Sequence, residues 1–415
     1  MENTGINNTL DHLFRHESGK MVAVLSKLLG LQQMEAAQDI VQDTLLQAMS
    51  TWRYNGLPEN PAAWLYRVAR NKAIDYLRRQ KTGRRVLDNI EWTLSGTAEE
   101  LFMIEEIQDS QLRMIFAACH PSIPEESRIA FTLKTLCGLS NAEISAAFLV
   151  EQDTIAKRIY RAREKMRNGS VELEPPHGIH LTQRLDVVLK TLYLLFNEGY
   201  YSSRADDRLV REDLCREAMR LCQLLCEHRS TALPRTHALL ALFSFQASRL
   251  HARLDDNGHI ILLKYQDRTQ WNRALIRAGF EQLERAAEPF EVTAYHLEAA
   301  IASVHAASPS FEKTDWTSIH HLYEMLYQLQ PNPIVAMNKA IASSFAISNR
   351  HALSELQTIR GLEHHHLYLA TLGEICLAMQ EYEEARGYFE KASALAPTVA
   401  EKQLLFGRLA QCRAN

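Results

Sequence analysis

The sequence predicts an all-α protein, and three observations carry that expectation. Glycine and proline are scarce, 16 and 12 in 415 residues, against average usage of about 7% and 5%. Few breakers combined with many Ala, Leu, Glu and Arg favour helix. Apolar residues recur at helical rather than alternating spacing along nearly the whole chain. A single run, HIILLKY after the turn Asp255-Asp256-Asn257-Gly258, suggests a short extended segment. The length suits roughly two or three domains, and 46% hydrophobic residues supply ample core.

The first two helices are expected over 9–30 and 35–54. Leu10, Leu13, Phe14, Met21, Val24, Leu25 and Leu28 form the apolar set of the first. Ala36, Ile40, Val41, Leu45, Ala48, Met49 and Trp52 form that of the second. The outer face of the second carries Glu35, Asp39, Gln42 and Asp43, and acids in its N-terminal half also suit the helix dipole. Arg53 to Pro61, with Gly, two Pro and two Asn, reads as a loop. A helix over 60–81 follows, with Pro61 in its first turn, where a missing N–H costs nothing. Trp64, Leu65, Val68, Ile74, Tyr76 and Leu77 give it an apolar back. Arg67, Arg70, Lys72, Arg78, Arg79 and Lys81 crowd the rest against one acid, Asp75. A cationic face with interleaved aromatics is what a helix lying on a nucleic-acid backbone needs.

Residues 82–109 lose periodicity and grow acidic, through Glu99, Glu100, Glu105, Glu106 and Asp109. They read as a linker that becomes helical near its end. The next unit spans 110–170. A helix from Glu125 to Cys137 is ended by Gly138, a favoured C-terminal cap. Ser140-Asn141-Ala142-Glu143 forms a capping box ahead of a short helix over 141–148. After LVEQD comes a basic helix from Thr154 to Arg167. Short helix, tight turn and basic second helix make a helix-turn-helix, whose second helix enters the major groove. Ile155, Ile159, Ala162 and Met166 are expected inward. Lys157, Arg158, Tyr160 and Arg161 are expected outward, with Arg163, Lys165 and Arg167 available for phosphates. Arginine reads guanine edges in a bidentate way, whereas lysine mostly supplies charge.

A proline-containing linker, 171–180, leads to a helical region over 181–415. LDVVLKTLYLLFNEGYYSS reads as a buried helix ended near Gly199, and REDLCREAMRLCQLLCE as an amphipathic one. Near the end, Leu372, Gly373, Tyr382, Ala385, Phe389, Ala392 and Pro397 follow the spacing of a tetratricopeptide repeat, with Cys376 and Gln380 as departures. Ala340, Ala352, Leu356 and Ile359 echo it one repeat earlier, so 332–397 reads as two stacked helical hairpins.

Composition narrows the function. A net charge of −4 announces no nucleic acid, so any such surface must come from local segregation of charge. The N-terminal residues lack the basic flank and apolar run of a signal peptide. No run of about 18 uncharged apolar residues exists, so no membrane association is expected. Seven scattered cysteines without a CxxC point to a reduced cytoplasmic setting. Cys215, Cys222 and Cys226 share a helical face but read as small core residues. His364, His365 and His366 are adjacent, do not share a face, and read as exposed loop histidines. No metal site, cofactor or catalytic constellation is expected.

Residues 10–167 resemble the bacterial RNA polymerase sigma factors of the extracytoplasmic-function type. The resemblance rests on AAQDIVQDTLLQAMSTW (36–52), NPAAWLYRVARNKAIDYLRR (60–79) and PEESRIAFTLKTLCGLSNAEISAAFLVEQDTIAKRIYRAREKMR (124–167). LYLLFNEGY and the repeat-like end resemble the subgroup with a long helical extension. The resemblance implies region 2 over 1–81, region 4 over 110–170, and a regulatory helical domain over 181–415. It implies that Asp39, Gln42, Asp43 and Met49 dock on the polymerase clamp. It implies that Tyr54, Asn60, Arg67, Arg70, Asn71, Lys72, Arg78 and Arg79 hold and open the −10 element. It implies that Gln152, Thr154, Lys157, Arg158, Tyr160, Arg161 and Arg163 serve the −35 element, with Ala156 a departure where relatives carry a longer side chain. Trp64 matches a family core residue. The implied partners are core RNA polymerase, promoter DNA and an unidentified protein or small-molecule ligand of the C-terminal region. Such a protein is not an enzyme. The alternative is a stand-alone helix-turn-helix activator, which would have no use for a clamp-docking face.

Overall fold

The structure, a computed structural model, describes residues 2–79, 103–148, 150–168, 171, 179–201, 211–255, 258–287 and 291–414. The chain divides into two compact units, Met1–Leu194 and Leu195–Asn415. Residues 82–102 and 172–178 of the two expected linkers lie outside the described residues.

In the first unit, α1 (Glu2–Leu29), α2 (Met34–Asn55) and α3 (Pro61–Arg79) pack on one another. Their core holds Phe14, Met21, Leu25, Ile40, Val41, Trp52 and Leu65. Trp52 sits between the rings of Phe14 and Trp64, at centroid distances of 5.6 and 5.4 Å. Tyr66 donates its hydroxyl to the buried Glu17 carboxylate; burial and that contact hold its proton far above the ordinary phenol range.

The inner stripe of α3 is Leu65, Ala69 and Ala73, one turn apart. Val68, Ile74 and Leu77, expected inward, are only half-buried. Small alanines let the helix backbone approach its neighbours, and the bulkier residues then flank the contact. A second correction concerns the loop expected from Arg53. Helix α2 runs on to Asn55, so Arg53 and Tyr54 occupy its last turn, and Gly56 breaks the chain at φ +76°.

Next come α4 (Ile104–Ala118), α5 (Glu125–Thr135), α6 (Asn141–Phe148) and α7 (Gln152–Arg167). Lys27 of α1 ties α4 down through Glu106 at 2.6 Å and Asp109 at 3.0 Å. Helix α5 ends as its sequence indicated. Gly138 takes φ +65° just past the helix end, and the Leu139 N–H reaches back to the Leu133 carbonyl at 3.1 Å, so glycine permits the left-handed turn that lets the chain fold back on the helix. The Glu143 half of the expected capping box lies outside the described side chains.

Helix α8 (Ile179–Tyr200) carries the chain from the first unit into the second. The second unit then runs through α9 (Glu212–Glu227), α10 (Pro234–Ala247), α11 (Arg273–Ala286), α12 (Ala294–Ala307), α13 (Trp316–Leu329), α14 (Pro333–Ala346), α15 (Asn349–Thr358), α16 (His366–Ala378), α17 (Tyr382–Leu395) and α18 (Val399–Ala414). Consecutive helices pack in pairs. Their starts are set by local chemistry: Pro234 and Pro333 open α10 and α14, and Asn272, Asp315 and Asn332 cap the first N–H groups of α11, α13 and α14.

The two hairpins expected over 332–397 are α14–α15 and α16–α17, joined in one core through Ala340, Leu356, Leu372 and Phe389. The run HIILLKY forms no strand among the described residues. It contributes one antiparallel bridge, Leu254 to Ile260, and a turn of 3-10 helix over Leu263–Tyr265. The histidine expectation is also corrected. His366 opens α16, is largely buried, and its Nε2 lies 3.0 Å from Glu401.

Candidate nucleic-acid interface

The outer face of α2 is built by what the inner face consumes. Ile40, Val41, Thr44, Ala48 and Trp52 are buried, which turns Asp39, Gln42, Asp43 and Met49 to solvent. Leu46, which the sequence pattern did not single out, joins them. It is 57% exposed and Met49 55%. Gln42, Leu46 and Met49 are spaced i, i+4, i+7 and so share one face. Two exposed apolar side chains among acids and amides make a surface suited to a basic, partly apolar partner.

Beyond α2, Tyr54 is 85% exposed, an aromatic face open to stacking. Asn60 is engaged: its Oδ1 accepts from the Ala63 N–H at 3.0 Å and caps α3. Along α3, Arg67, Asn71, Arg78 and Arg79 are exposed, while Arg70 and Lys72 are half-buried. The opposing acid, Asp75, is 3.9 Å from Arg78, with both side chains mostly in solvent. Such a pair is worth roughly 0–1 kcal/mol, so the guanidinium is readily surrendered to a phosphate.

In the helix-turn-helix, Ile155, Ile159, Ala162 and Met166 are buried as expected. Gln152, Lys157, Tyr160 and Arg161 point to solvent, as does Ala156, and Thr154 is half-buried. Two arginines depart from the expected orientation. Arg158, placed outward from the sequence, is 17% exposed and bonded to Glu126 of α5. It follows the buried stripe closely enough to reach the first turn of the neighbouring helix. Arg163 turns away from the open face, donates to Gln38 Oε1, and lies 3.7 Å from Glu35. The open face of α7 is therefore narrower than sequence spacing indicated: Gln152, Ala156, Lys157, Tyr160 and Arg161. Among the described residues, no group of three or more His, Cys, Asp or Glu is arranged to hold a metal ion, and no helix is long and apolar enough to cross a membrane.

One unit thus carries a cationic helix beside a stacking platform, and a helix-turn-helix whose second helix keeps an open polar face. That defines a DNA-binding protein with two distinct reading elements. Comparison with known proteins agrees. Residues 13–82 match the model for sigma-70 region 2, and 113–166 that for sigma-70, region 4. Residues 184–287 match a family of unknown function (DUF6596). The chain is 36% identical over 138 residues to the ECF RNA polymerase sigma-E factors of Salmonella typhimurium (strain LT2) and Escherichia coli (strain K12), covering 31% of this chain and 71% of each relative. It is 33% identical over 390 residues to an uncharacterized protein of Rhizobium meliloti (strain 1021), covering 92% of both. No solved structure matches. The chain belongs to the ECF-type sigma factors and carries a C-terminal helical extension. It serves promoter recognition and is not an enzyme.

Proposed function

We propose that this chain binds core RNA polymerase in the cytoplasm, directs it to promoters, opens the −10 element and supports transcription initiation. In this reading Asp39, Gln42, Asp43 and Met49, with Leu46, meet the polymerase clamp. Tyr54, Asn60, Arg67, Arg70, Asn71, Lys72, Arg78 and Arg79 handle the −10 element. Tyr54 stacks on an unpaired base, Asn60 fixes the start of α3, and the cations hold the backbone. Gln152, Thr154, Lys157, Tyr160 and Arg161 face the −35 element, while Arg158 and Arg163 reach phosphates only after leaving their present partners. The region 181–415 modulates the DNA-binding unit in response to an unidentified protein or small molecule.

The observation that carries the reading is the exposed α2 face, Asp39, Gln42, Asp43, Leu46 and Met49, on a helix whose end presents Tyr54. A duplex-binding activator needs no such docking face. The test is run-off transcription with purified core enzyme, together with co-purification of Asp39→Lys/Asp43→Lys. Transcript formation by the native chain, lost together with co-purification in the variant, supports it. Tight specific duplex binding without polymerase, with no transcript on any template, overturns it.

A further inference from the structure

The second unit contains a cavity of about 480 Å³ between α9, α10 and α11. Small-molecule sites span about 300–1,000 Å³. Its wall is a helical stripe on α9, Cys215, Arg216, Met219, Arg220 and Gln223, facing Leu240 and Ser244 of α10 and Leu275, Ala278 and Gln282 of α11. Every one of these residues falls within the 184–287 match to a family of unknown function.

Gln282 marks the inner wall. It is 8% exposed, and its Oε1 lies 2.7 Å from His237 Nδ1. That contact uses one end of the amide. The Nε2 end makes no hydrogen bond to any described residue, and Gln282 lines the cavity. With no protein acceptor to give up, that end is left to donate to an acceptor entering the cavity.

Each guanidinium on the wall has a carboxylate beside it, but the lining residues themselves carry more cations than anions. Arg216, Arg220 and Glu212 are the Arg, Lys, Asp and Glu residues among the lining, two cations to one anion. Glu212 is already engaged by Arg216 at 3.0 Å. Arg220 pairs at 3.0 Å with Glu217, which is not part of the lining. The remainder is mainly aliphatic: Met219, Leu240, Ala247, Leu250, Leu275 and Ala278. An apolar trough with amide and guanidinium donors suits a molecule with an apolar body and a single anionic acceptor head.

We propose that this cavity binds an amphiphilic organic acid, its chain along Leu240, Leu275 and Ala278 and its carboxylate accepting from Gln282 and Arg220. This deepens the reading of 181–415 as a sensing region and rests on it only for the consequence. The binding itself is tested without polymerase or DNA, so its failure and that of the sigma reading are separable.

The experiment titrates the full chain with decanoate by calorimetry, and with 8-anilinonaphthalene-1-sulfonate by fluorescence. Saturable binding of both at one shared site is expected. Gln282→Leu and Arg220→Gln should each weaken decanoate about tenfold, matching about 1.4 kcal/mol for the removal of one charge-assisted hydrogen bond. Decanol should bind at least tenfold more weakly than decanoate. Ala278→Trp and Met219→Trp, both at half-buried lining positions, should abolish binding while leaving the unfolding temperature near that of the native chain; using two fillers guards against one that misfolds. No saturable binding, equal affinity for decanol and decanoate, or unchanged binding in a folded filled variant would each overturn the proposal.

Discussion

Arg163 of α7 donates to Gln38 of α2, and so joins the helix-turn-helix to the helix that carries the exposed acid-and-amide face. The Glu35 carboxylate stands 3.7 Å from the same guanidinium. Below them, Gly19 of α1 meets the end of α5 so closely that a Cβ there would lie 2.1 Å from the Leu136 carbonyl oxygen. In the proposed function the two modules read elements about 25 base pairs apart, roughly 85 Å at ~3.4 Å per pair. Modules in contact cannot span that distance, so the seam must part when promoter DNA is read.

The magnitudes allow it. Arg163 and Glu35 are both partly in solvent, and such pairs contribute about 0.2–1 kcal/mol. Gly19→Ala should force the modules apart without touching any DNA-facing residue. Labels on the exposed Gln47 and Lys165 should then report a longer or broader distance distribution in the free chain. An unchanged distribution would mean that the seam is rigid.

Positioning and reading roles should separate in binding assays of the holoenzyme. Arg78→Ala/Arg79→Ala removes exposed cations and should weaken all promoters alike. It should also reduce the slope of log K against log salt by about 0.9 for each phosphate that is no longer neutralised. Arg161→Ala should instead cost about 1–3 kcal/mol at particular upstream sequences. The same selective defect in both variants would contradict the division of roles.

Helix periodicity made most of the fold legible. The buried stripe Ile155, Ile159, Ala162 and Met166 and the Gly138 cap could be read from spacing and one residue type. What spacing could not supply was the partner across an interface between helices. Arg158 and Arg163 look like surface cations until Glu126 and Gln38 are brought beside them, 32 and 125 residues away in the chain. The Ala69–Ala73 stripe was hidden because alanine carries little periodic signal next to Val, Ile and Leu. Leu46 had a signal, a large apolar residue on an otherwise polar face. Thr398 and Glu401 had one as well, the T-x-x-E spacing of a capping box just before α18.

Two substitutions in the repeat-like hairpin should shift stability in opposite directions. Gly373 packs on Phe389, and a Cβ there would lie 2.6 Å from the ring. Gly373→Ala should cost about 1–3 kcal/mol through overpacking. Gln380, which departs from the small residue usual in the repeat, is the one non-glycine residue with positive φ among those described, at 64°. The Glu381 N–H bonds the Cys376 carbonyl at 2.9 Å around it, a Schellman cap that favours glycine. Gln380→Gly should therefore stabilise by roughly 0.5–1 kcal/mol. Thermal unfolding of the full-length variants measures both.

The buried Glu401 should make the second unit sensitive to acid. It is 4% exposed. Its carboxylate accepts from Tyr201, lies 3.0 Å from His366 Nε2, and closes the capping box through the Thr398 N–H at 3.0 Å and Thr398 Oγ1 at 2.8 Å. Burial alone would push the carboxyl up. The hydrogen bonds from His366, Tyr201 and Thr398 outweigh it and bring it down to about 2. A carboxylate with a folded value below its unfolded one, about 4.3, stabilises above that pH, and the contribution is lost as pH falls from about 4.3 towards 2. These bonds join residues 200 positions apart, from the exit of α8 to the start of α18, so breaking them loosens the unit at both ends. Glu401→Gln should lower neutral-pH stability by about 1–3 kcal/mol, because the amide leaves buried partners poorly matched. It should also flatten the fall in unfolding temperature expected of the native chain between about pH 4.3 and 2. A variant that kept the native acid profile would assign that profile to other carboxylates.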